Sequence, residues 1–398
     1  MTKVPEARMR VVQINMQPHF GGGEVYTAVL ARALSLLGVA TQLICHRDAG
    51  FWRDLQLPPD TEITLIASWE QLTAVLPAGR HWIISHGAAP AHLKLGKEHL
   101  LTAIAHMPLN NRNPAPFLAC DKVFAVSHYV LDGLNDHGIA TWPEPLYGVA
   151  DLDGRNGQSQ VGAEASCELR RQSCYEWDKR KVRDHLLGYL EPWYEPLLPH
   201  PAYTKRPGLT LAIVSRLTPI KQFPLLFSKL APVLAHHPEI SLEIFGAGGY
   251  ASVRDLRRAL APIKDRVRFW GYQQNVAAVY RQVDYLMTGL PEKEALGLNV
   301  IEAEACGTPV LAIAAPPFSE TVVEGETGFL YCDPRHDEGA DFARLIERLL
   351  ATKAPLRPQA ATAHLQHFSF AAFVERLKPV VAWADRQLLH HQVGQVKR

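Results

Sequence analysis

Two glutamates with seven residues between them mark the part of the chain best suited to chemistry. Glu294 stands before Gly297, and Glu302 lies about one helical turn inside the run of helix-forming residues 298–306. A glycine turn at a helix N-terminus exposes backbone N–H groups that attract phosphate. Carboxylates in turn accept hydrogen bonds from hydroxyl groups. The segment 294–309 therefore predicts a pocket for a phosphate with a sugar or ribose ring beside it.

Three histidines stand where α/β proteins place working side chains. His86 and His106 each follow a predicted strand, and His19 precedes the glycine run 21–23. Ligands of open α/β sheets bind outside the carboxyl ends of the strands. For His86 and His106, a role in a binding cleft and a role as a hydrogen-bonded core histidine both remain open.

Short apolar runs that alternate with helical patterns predict the elements that must position these groups. In the first part of the chain they predict a helix at 24–37 and strands at 10–15, 40–45, 63–66, 82–84, 101–105 and 122–126. The pattern starts again with strands at 209–215, 241–245, 267–270, 285–288 and 309–313, and with helices at 224–235, 252–261, 298–306 and 341–351. Such alternation implies right-handed crossovers and parallel sheets. The fold class is therefore α/β, with two α/β units.

Between the two patterns, residues 151–207 fit neither domain. Because a structureless loop of this length is unusual, we expect a helix around 175–189. Cations cluster there: Arg170, Arg171, Lys179, Arg180, Lys181 and Arg183. The cluster is either a solvated helix face or a contact for an anionic acceptor or lipid headgroup.

Composition excludes several classes of protein. A net charge of +1 gives no bulk attraction to nucleic acid. No apolar run approaches the roughly 20 residues of a membrane-spanning helix, and the N-terminus lacks the apolar core of a secretion signal. The six cysteines are scattered without the spacing of a zinc site, which favours reduced thiols. We expect a cytoplasmic protein.

These motifs together resemble those of the retaining family-4 glycosyltransferases. Glu294 and Glu302 match the E-x7-E signature of that family, and residues 301–310, which read IEAEACGTPV, are close to its EA-x-ACGTPV run. Residues 320–330 resemble the stretch that follows it. Further matches, in the family's order, are the glycine loop at 21–24, Ser215-Arg216-Leu217 with Lys221, and the turn Gly246-Ala247-Gly248.

The resemblance implies the GT-B architecture, in which two Rossmann-like domains face each other across a cleft. Residues 1–150 would form the acceptor-side domain, and residues 208–375 the domain that binds the nucleotide sugar. A C-terminal helix at about 376–398 would pack back on the first domain. Residues 151–207 would be an insertion or linker that contains a basic helix.

The resemblance also implies roles for particular residues. Glu302 would bind the ribose, Glu294 the donor sugar, and Arg216 and Lys221 the diphosphate, with His106 beside the reacting centre. The remaining donor-site candidates are Gly22, Gly23, Gly246, Tyr272, Gly297, Leu298 and Asn299. His19 and His86 are candidates for the acceptor side.

The implied function is retaining transfer from a nucleotide-diphosphate sugar, which is a co-substrate, to a glycan, lipid-linked or small-molecule acceptor. Bacterial surface polysaccharide or exopolysaccharide synthesis is the expected setting, with a peripheral contact at the inner face of the membrane. No cofactor or metal is expected. The run Asp151-Leu152-Asp153 resembles the Asp-x-Asp metal motif of the other glycosyltransferase architecture, but it lies in the linker rather than after a strand of a nucleotide-binding unit. The alternatives are a sugar-nucleotide epimerase, a phosphorylase, or a scaffold that binds a sugar nucleotide without turnover.

Overall fold

The computed structural model describes residues 9–150, 169–177, 182–352 and 356–396, which form two compact units. The first unit contains the described residues up to 150 and those from 366 onward. The second contains the described residues from 169 to 365. Each unit is an α/β fold built on one six-stranded parallel sheet.

The sheet of the first unit has the strand order β3-β2-β1-β4-β5-β6. Its strands are β1 (Arg10–Asn15), β2 (Ala40–His46), β3 (Glu62–Ile66), β4 (Trp82–His86), β5 (Leu100–Ala105) and β6 (Lys122–Ala125). The central strand β1 is buried along almost its whole length. Such burial is expected of a parallel strand that is covered on both faces.

The sheet of the second unit has the equivalent order, β12-β11-β10-β7-β8-β9. Its strands are β7 (Leu209–Val214), β8 (Ile240–Phe245), β9 (Val267–Gly271), β10 (Tyr285–Met287), β11 (Val310–Ile313) and β12 (Gly328–Tyr331). The core beside this sheet includes Phe227, Ile244 and Phe342, all fully buried.

Helices accompany both sheets. The longer ones are α1 (Gly22–Leu36), α2 (His128–Asn135), α3 (Val182–Tyr194), α4 (Phe223–Ala235), α5 (Tyr250–Ala259), α6 (Leu298–Ala305), α7 (Ala340–Ala351) and α8 (Phe370–Val396). Short α-helical turns lie at Leu72–Val75, Leu95–Glu98, Ala115–Leu118, Val276–Tyr280, Phe318–Thr321, Pro334–Asp337 and Thr362–His367. No helix in the described part of the chain is long and apolar enough to cross a membrane.

In each sheet the strand order reverses once. The reversal lies between β1 and β4 in the first unit and between β7 and β10 in the second. The connections leave in opposite directions at that point, so a crevice opens outside the carboxyl ends of the two strands. The topology thus specifies where a ligand site is expected in each unit.

The C-terminal helix belongs to the first unit and packs on α1. Phe373 of α8 contacts the ring of Tyr26 edge-on, with 5.6 Å between ring centroids, and the Arg32 guanidinium lies 4.9 Å from the Phe370 ring. The helix begins at Phe370, so the return to the first unit precedes the expected boundary near residue 376.

The segment between the sheets differs from the sequence-based expectation. The described parts of 151–207 that follow residue 168 belong to the second unit rather than to neither unit. Within the described residues the helix spans Val182–Tyr194, against the expected 175–189, and it includes Arg183 of the cationic cluster. Residues 169–177 are extended because they pair with loops of the second sheet. The expected helix is thus absent from 175–177, whereas its basic character stays a prediction, because Lys179, Arg180 and Lys181 lie outside the described residues.

The other predicted strands and helices match the observed ones to within two residues at their ends, apart from α8. Helix α2, the short helical turns and β12 were not predicted. This strand has four residues and is only half buried, so its apolar pattern is weak. Gly328 begins it, and a Cβ there would overlap the Val310 carbonyl oxygen of β11. The close approach of two backbones, rather than apolar side chains, specifies this strand.

Gly246 after β8 should be irreplaceable for the stability of the second unit. It has a φ of +147°, and a Cβ there would overlap the Ser215 carbonyl oxygen. We expect Gly246→Ala to lower the free energy of unfolding by about 1–3 kcal/mol, measured by thermal denaturation. The control is Gly249→Ala, where φ is −61° and no heavy atom lies within 4 Å of the added Cβ. Equal destabilisation by both variants would contradict the steric argument.

Candidate functional site

A stacked pair of histidines lies at the carboxyl ends of β4 and β5 in the first unit. The rings of His86 and His106 have centroids 5.2 Å apart and are nearly parallel. His86 Nδ1 lies 3.0 Å from His106 Nε2. The ring of Tyr26 in α1 packs edge-on against His106, with 5.1 Å between centroids. The structure thus brings together two of the three histidines that the sequence singled out.

Hydrogen bonds define the tautomers of this pair. His86 Nε2 lies 2.8 Å from the side-chain oxygen of Gln13 on β1, so this nitrogen donates. In the neutral ring, Nδ1 of His86 then accepts from the Nε2–H of His106. The remaining lone pair of His106 therefore lies on its Nδ1, where it can accept a hydrogen bond from a ligand.

A buried polar network continues from the histidines across the switch point. Thr27 Oγ1 lies 3.1 Å from His86 Nδ1 and donates to the Gly23 carbonyl oxygen at 2.8 Å. Asn15 at the end of β1 donates to Thr27 Oγ1 at 3.0 Å and to Glu24 at 3.3 Å. Buried polar groups persist only when they are hydrogen-bonded, so the network holds its members in one arrangement.

The glycine run lies against this network. Gly22 is the first residue of α1, and a Cβ on Gly23 would lie 3.9 Å from the His106 ring. The N-terminus of α1 and the histidine pair therefore border the same crevice of the first unit. His19 is exposed in the preceding loop and is not part of the hydrogen-bonded cluster.

In the second unit, Lys221 and Glu294 form an ion pair beside the other switch point. Lys221 lies in a 3₁₀ turn that follows β7, and Glu294 lies in the loop that follows β10. The two loops touch: the Leu290 N–H donates to the Lys221 carbonyl oxygen, and Gly289 has no room for a Cβ beside that oxygen. The structure thus brings together the predicted diphosphate lysine and the predicted sugar carboxylate.

Gly297 and helix α6 lie directly beyond this pair. Gly297 is the N-cap of α6 and has a φ of +83°, which favours glycine. Asn299 donates to the Val214 carbonyl oxygen at 3.2 Å and so ties the first turn of α6, with Leu298, to the end of β7. The N-terminus of the helix is therefore fixed at the switch point, where its free N–H groups favour an anion.

Glu302 is buried on the inner side of α6. Its side chain is 2% exposed, and the Tyr280 hydroxyl donates to its Oε2 at 3.2 Å. The Thr308 hydroxyl donates to the Tyr280 carbonyl oxygen, which fixes the backbone of Tyr280 as well. The carboxylate is consequently held in one orientation rather than free in solvent.

Arg216 follows β7 and forms a two-point ion pair with Glu176. Its Nε and Nη2 donate to the two carboxylate oxygens of Glu176 at 3.3 and 3.0 Å. The Ser215 N–H donates to the Phe245 carbonyl oxygen at the end of β8. The residues that follow these two, Arg216 and Gly246, therefore lie side by side. Tyr272 follows β9, and its side chain is exposed. The candidate donor residues of the second unit thus lie along the carboxyl edge of its sheet.

Several residues of these clusters escaped the sequence analysis. Gln13 and Asn15 alternate with buried valine and isoleucine in β1, and polar residues in an otherwise apolar strand were a usable signal. Thr27 had no signal of its own, because only packing places it beside the histidines. Glu24 was part of the predicted glycine loop, but its contact with Asn15 was not predicted. Glu176 lies forty residues before Arg216 in the chain, so spacing could not reveal the pair.

The histidine pair should make the protein less stable in mild acid. Burial lowers the pKa of His106 to about 4 and holds the pKa of His86 well below its usual range. The unfolded chain takes up these protons near pH 6.5, whereas the folded chain does not. Stability is therefore full above about pH 6.5 and is lost as the pH falls toward 4.

We expect His106→Asn to flatten this loss in thermal unfolding curves recorded from pH 7 to pH 4.5. The exposed His92 provides the control, and His92→Asn should leave the pH dependence as it is. An unchanged slope in His106→Asn would show that His106 is not a source of the acid sensitivity.

Part of the chain matches a known family of proteins. Residues 204–364 match the family model described as glycosyl transferases group 1. This range includes β7 to β12 and all the candidate residues of the second unit except Glu176.

Relatives and a solved structure agree with that match. The chain is 28% identical over 394 residues to the D-inositol 3-phosphate glycosyltransferase of Stackebrandtia nassauensis, covering 87% of this chain and 82% of the relative. The enzyme of the same name from Rhodococcus erythropolis is 33% identical over 178 residues, which cover 41% of this chain and only 39% of the relative.

The structure of Anabaena HepE in complex with UDP and glucose has a similar fold. The TM-score is 0.64 at 16% identity, and the match covers 94% of this chain and 99% of HepE. Two parallel six-stranded sheets of equivalent strand order are the GT-B architecture. The chain is therefore a glycosyltransferase with the GT-B fold, and its residues 204–364 match the group 1 family model.

Proposed function

We propose that the protein transfers a sugar from a nucleotide-diphosphate sugar to a hydroxyl group of an acceptor, with retention of the anomeric configuration. The observation that carries the proposal is the Lys221–Glu294 ion pair beside the N-terminus of α6, at the switch point of the second sheet. A cation, a carboxylate and free N–H groups are the chemistry needed for a diphosphate joined to a sugar.

In the proposed reaction, Lys221 and Arg216 neutralise the departing diphosphate. Negative charge develops on the leaving oxygen as its bond to the anomeric carbon breaks, so fixed cations stabilise the transition state more than the ground state. Arg216 suits a two-point grip on phosphate, and Lys221 acts as a point charge. Because these side chains take on the neutralisation, the proposal includes no metal ion or organic cofactor.

The carboxylates are assigned to hydroxyl groups. Glu294 would accept from the donor sugar while Lys221 turns toward the diphosphate. Glu302, oriented by Tyr280, would accept from the ribose. These assignments place ribose, diphosphate and sugar in order along the first turns of α6.

No protein nucleophile is assigned. The acceptor oxygen would attack the anomeric carbon on the face that the diphosphate leaves, and its proton would pass to the leaving phosphate oxygen. His106 stays neutral at pH 7 because burial lowers its pKa to about 4. Its Nδ1 can therefore accept a hydrogen bond from a sugar hydroxyl, while His86 holds the ring and His19 remains a candidate for acceptor contact.

For the acceptor, the names of the relatives favour a small phosphorylated polyol such as D-inositol 3-phosphate. The glycan and lipid-linked acceptors of bacterial surface polysaccharide synthesis are the second candidate. The test is incubation with radiolabelled UDP-, GDP- and ADP-sugars and each acceptor class, with the configuration of the product determined by NMR.

The expected result is a labelled glycoside with the donor's anomeric configuration. Conversion of the donor to an epimer or a sugar phosphate without a glycoside would instead indicate an epimerase or a phosphorylase. Binding of the donor without transfer or hydrolysis, with every acceptor class, would indicate a scaffold.

Lys221 should matter for turnover more than for folding. We expect Lys221→Ala to lower kcat/KM at least about 100-fold, the usual effect of removing a group that stabilises transition-state charge. Its partly exposed ion pair with Glu294 is worth about 1 kcal/mol or less, so the melting temperature should change little. Lys229→Ala is the matched control, since Lys229 in α4 forms an ion pair with Glu338 in the same unit. Normal activity with a large loss of stability would make Lys221 structural.

We also propose a peripheral contact of helix α3 with an anionic membrane surface. Tyr189, Trp193 and Leu197 recur at helical spacing along α3 and the turn after it, and are 70%, 75% and 83% exposed. The sequence just before the helix, at 179–181, is Lys-Arg-Lys. Aromatic and leucine side chains next to cations are typical of segments that bind a membrane interface.

Vesicle flotation should detect this contact. We expect the protein to float with vesicles that contain phosphatidylglycerol, and Trp193→Ser with Leu197→Ser to abolish flotation. Leu36→Ser is the control, because Leu36 is an equally exposed apolar residue at the end of α1. Undiminished flotation of the double variant would refute the assignment to α3.

A further inference from the structure

An extended segment of six residues, 172–177, crosses the carboxyl edge of the second sheet; we refer to it as the strap. The Gln172 N–H donates to the Trp270 carbonyl oxygen at the end of β9, at 2.9 Å. Farther along, the Glu176 N–H donates to the Gly248 carbonyl oxygen at 2.7 Å. The Gly248 N–H in turn donates to the Cys174 carbonyl oxygen at 3.0 Å. The strap therefore pairs with the two loops that follow β8 and β9.

The sheet is shaped to receive the strap. Gly271 has a φ of +68°, and a Cβ there would overlap the Ser173 carbonyl oxygen and lie 2.6 Å from that of Gln172. Only glycine lets the two backbones approach so closely. The strap is thus a built-in part of the second unit rather than a loop resting on its surface.

Side chains anchor the strap on both sides. Cys174 is buried in the core of the second unit. The Tyr175 ring stacks on Trp177, with centroids 5.0 Å apart, and on Tyr250 at the start of α5, with centroids 5.9 Å apart. With its neighbours anchored in this way, Glu176 is held in place beside Arg216.

The contact between Glu176 and Arg216 has the geometry of a phosphate complex. Two guanidinium nitrogens donate to two carboxylate oxygens, which is the same planar two-point grip that arginine offers to phosphate. The Arg216 side chain is 37% exposed and that of Glu176 is 44% exposed. An ion pair this exposed is weak, so a diphosphate with its larger charge can displace the carboxylate.

We propose that Glu176 is an affinity-determining residue of the donor site. In the donor-free protein its carboxylate occupies the place on Arg216 that the donor diphosphate takes, and it returns when the nucleoside diphosphate leaves. The inference rests on the proposed function, which assigns Arg216 to the diphosphate. The backbone of the strap stays paired with Gly248 throughout, and only the Glu176 side chain moves. Glu176 thereby weakens the binding of donor and of product alike.

The test is Glu176→Gln, which keeps the size of the side chain and removes its charge. An exposed ion pair contributes up to about 1 kcal/mol, so we expect nucleoside diphosphate to bind about two- to fivefold more tightly. Calorimetry with UDP, GDP and ADP measures this affinity, and inorganic pyrophosphate serves as a probe without base or ribose. The KM for the donor should fall by the same factor, while the melting temperature stays close to that of the wild type.

The control is Glu347→Gln, which removes the same charge from an exposed position on α7 of the same unit. It should leave the affinity unchanged and so exclude a general effect of net charge. Unchanged binding in Glu176→Gln would overturn the proposal, because the carboxylate would then not compete with the diphosphate. Weaker binding would also overturn it, because the carboxylate would then help binding by positioning Arg216. A gain with UDP but not with pyrophosphate would also overturn it, because Glu176 would then act on the base or ribose.

The result separates this inference from the proposed function. If the wild type transfers sugar and the Glu176→Gln variant binds no more tightly, only the role of Glu176 fails. If the wild type binds none of the nucleoside diphosphates and no pyrophosphate, the donor site itself is wrong, and the role of Glu176 fails with it.

Discussion

The reversal of strand order in each parallel sheet is the constraint on which the candidate sites depend. Between β1 and β4, and again between β7 and β10, the crossover connections leave in opposite directions. The carboxyl ends of these strands are therefore left uncovered, and the helices that follow present their N-termini there. The histidine pair of the first unit and the Lys221–Glu294 pair of the second both occupy such an edge.

The two edges solve different electrostatic problems. In the first unit, neutral groups are buried, and mutual hydrogen bonds among Gln13, His86 and His106 offset the loss of water. Burial at the same time holds both imidazoles uncharged. In the second unit, the charged side chains of Lys221 and Glu294 remain partly exposed. Partial exposure keeps their mutual attraction weak enough for an anionic ligand to compete.

Glycines allow the loops at the carboxyl edge of the second sheet to pack closely against one another. Gly246 and Gly289 each face a carbonyl oxygen where a Cβ would overlap or nearly overlap, and Gly271 admits the strap. The loops that carry Arg216, Lys221 and Glu294 consequently lie within reach of one another. Residues 151–207 had the sequence pattern of a linker, but their residues 172–177, the strap, are part of the carboxyl edge of the second sheet.

The sequence by itself determined the class of the fold and identified the candidate residues of the second unit. Apolar runs of strand length, separated by helical patterns, are local signals, and they located most strands and helices to within two residues. Glu294, Gly297 and Glu302 lie within one short stretch, so their spacing alone reports that they share a helix and the turn before it. Arg216 and Lys221, in contrast, were identified as the associated cations only through the resemblance to the family-4 glycosyltransferases.

Only the tertiary structure decided which distant groups meet. The partnership of Glu176 with Arg216 joins residues forty positions apart, and the network from Asn15 to His106 joins the ends of three strands and a helix. Residues 175–177 of the strap are extended where the sequence predicted helix, and the Gln172 and Glu176 N–H groups of the strap donate to Trp270 and Gly248 near the ends of β9 and β8. Propensity acts between neighbours in the chain, whereas these hydrogen bonds exist only after the sheet has formed.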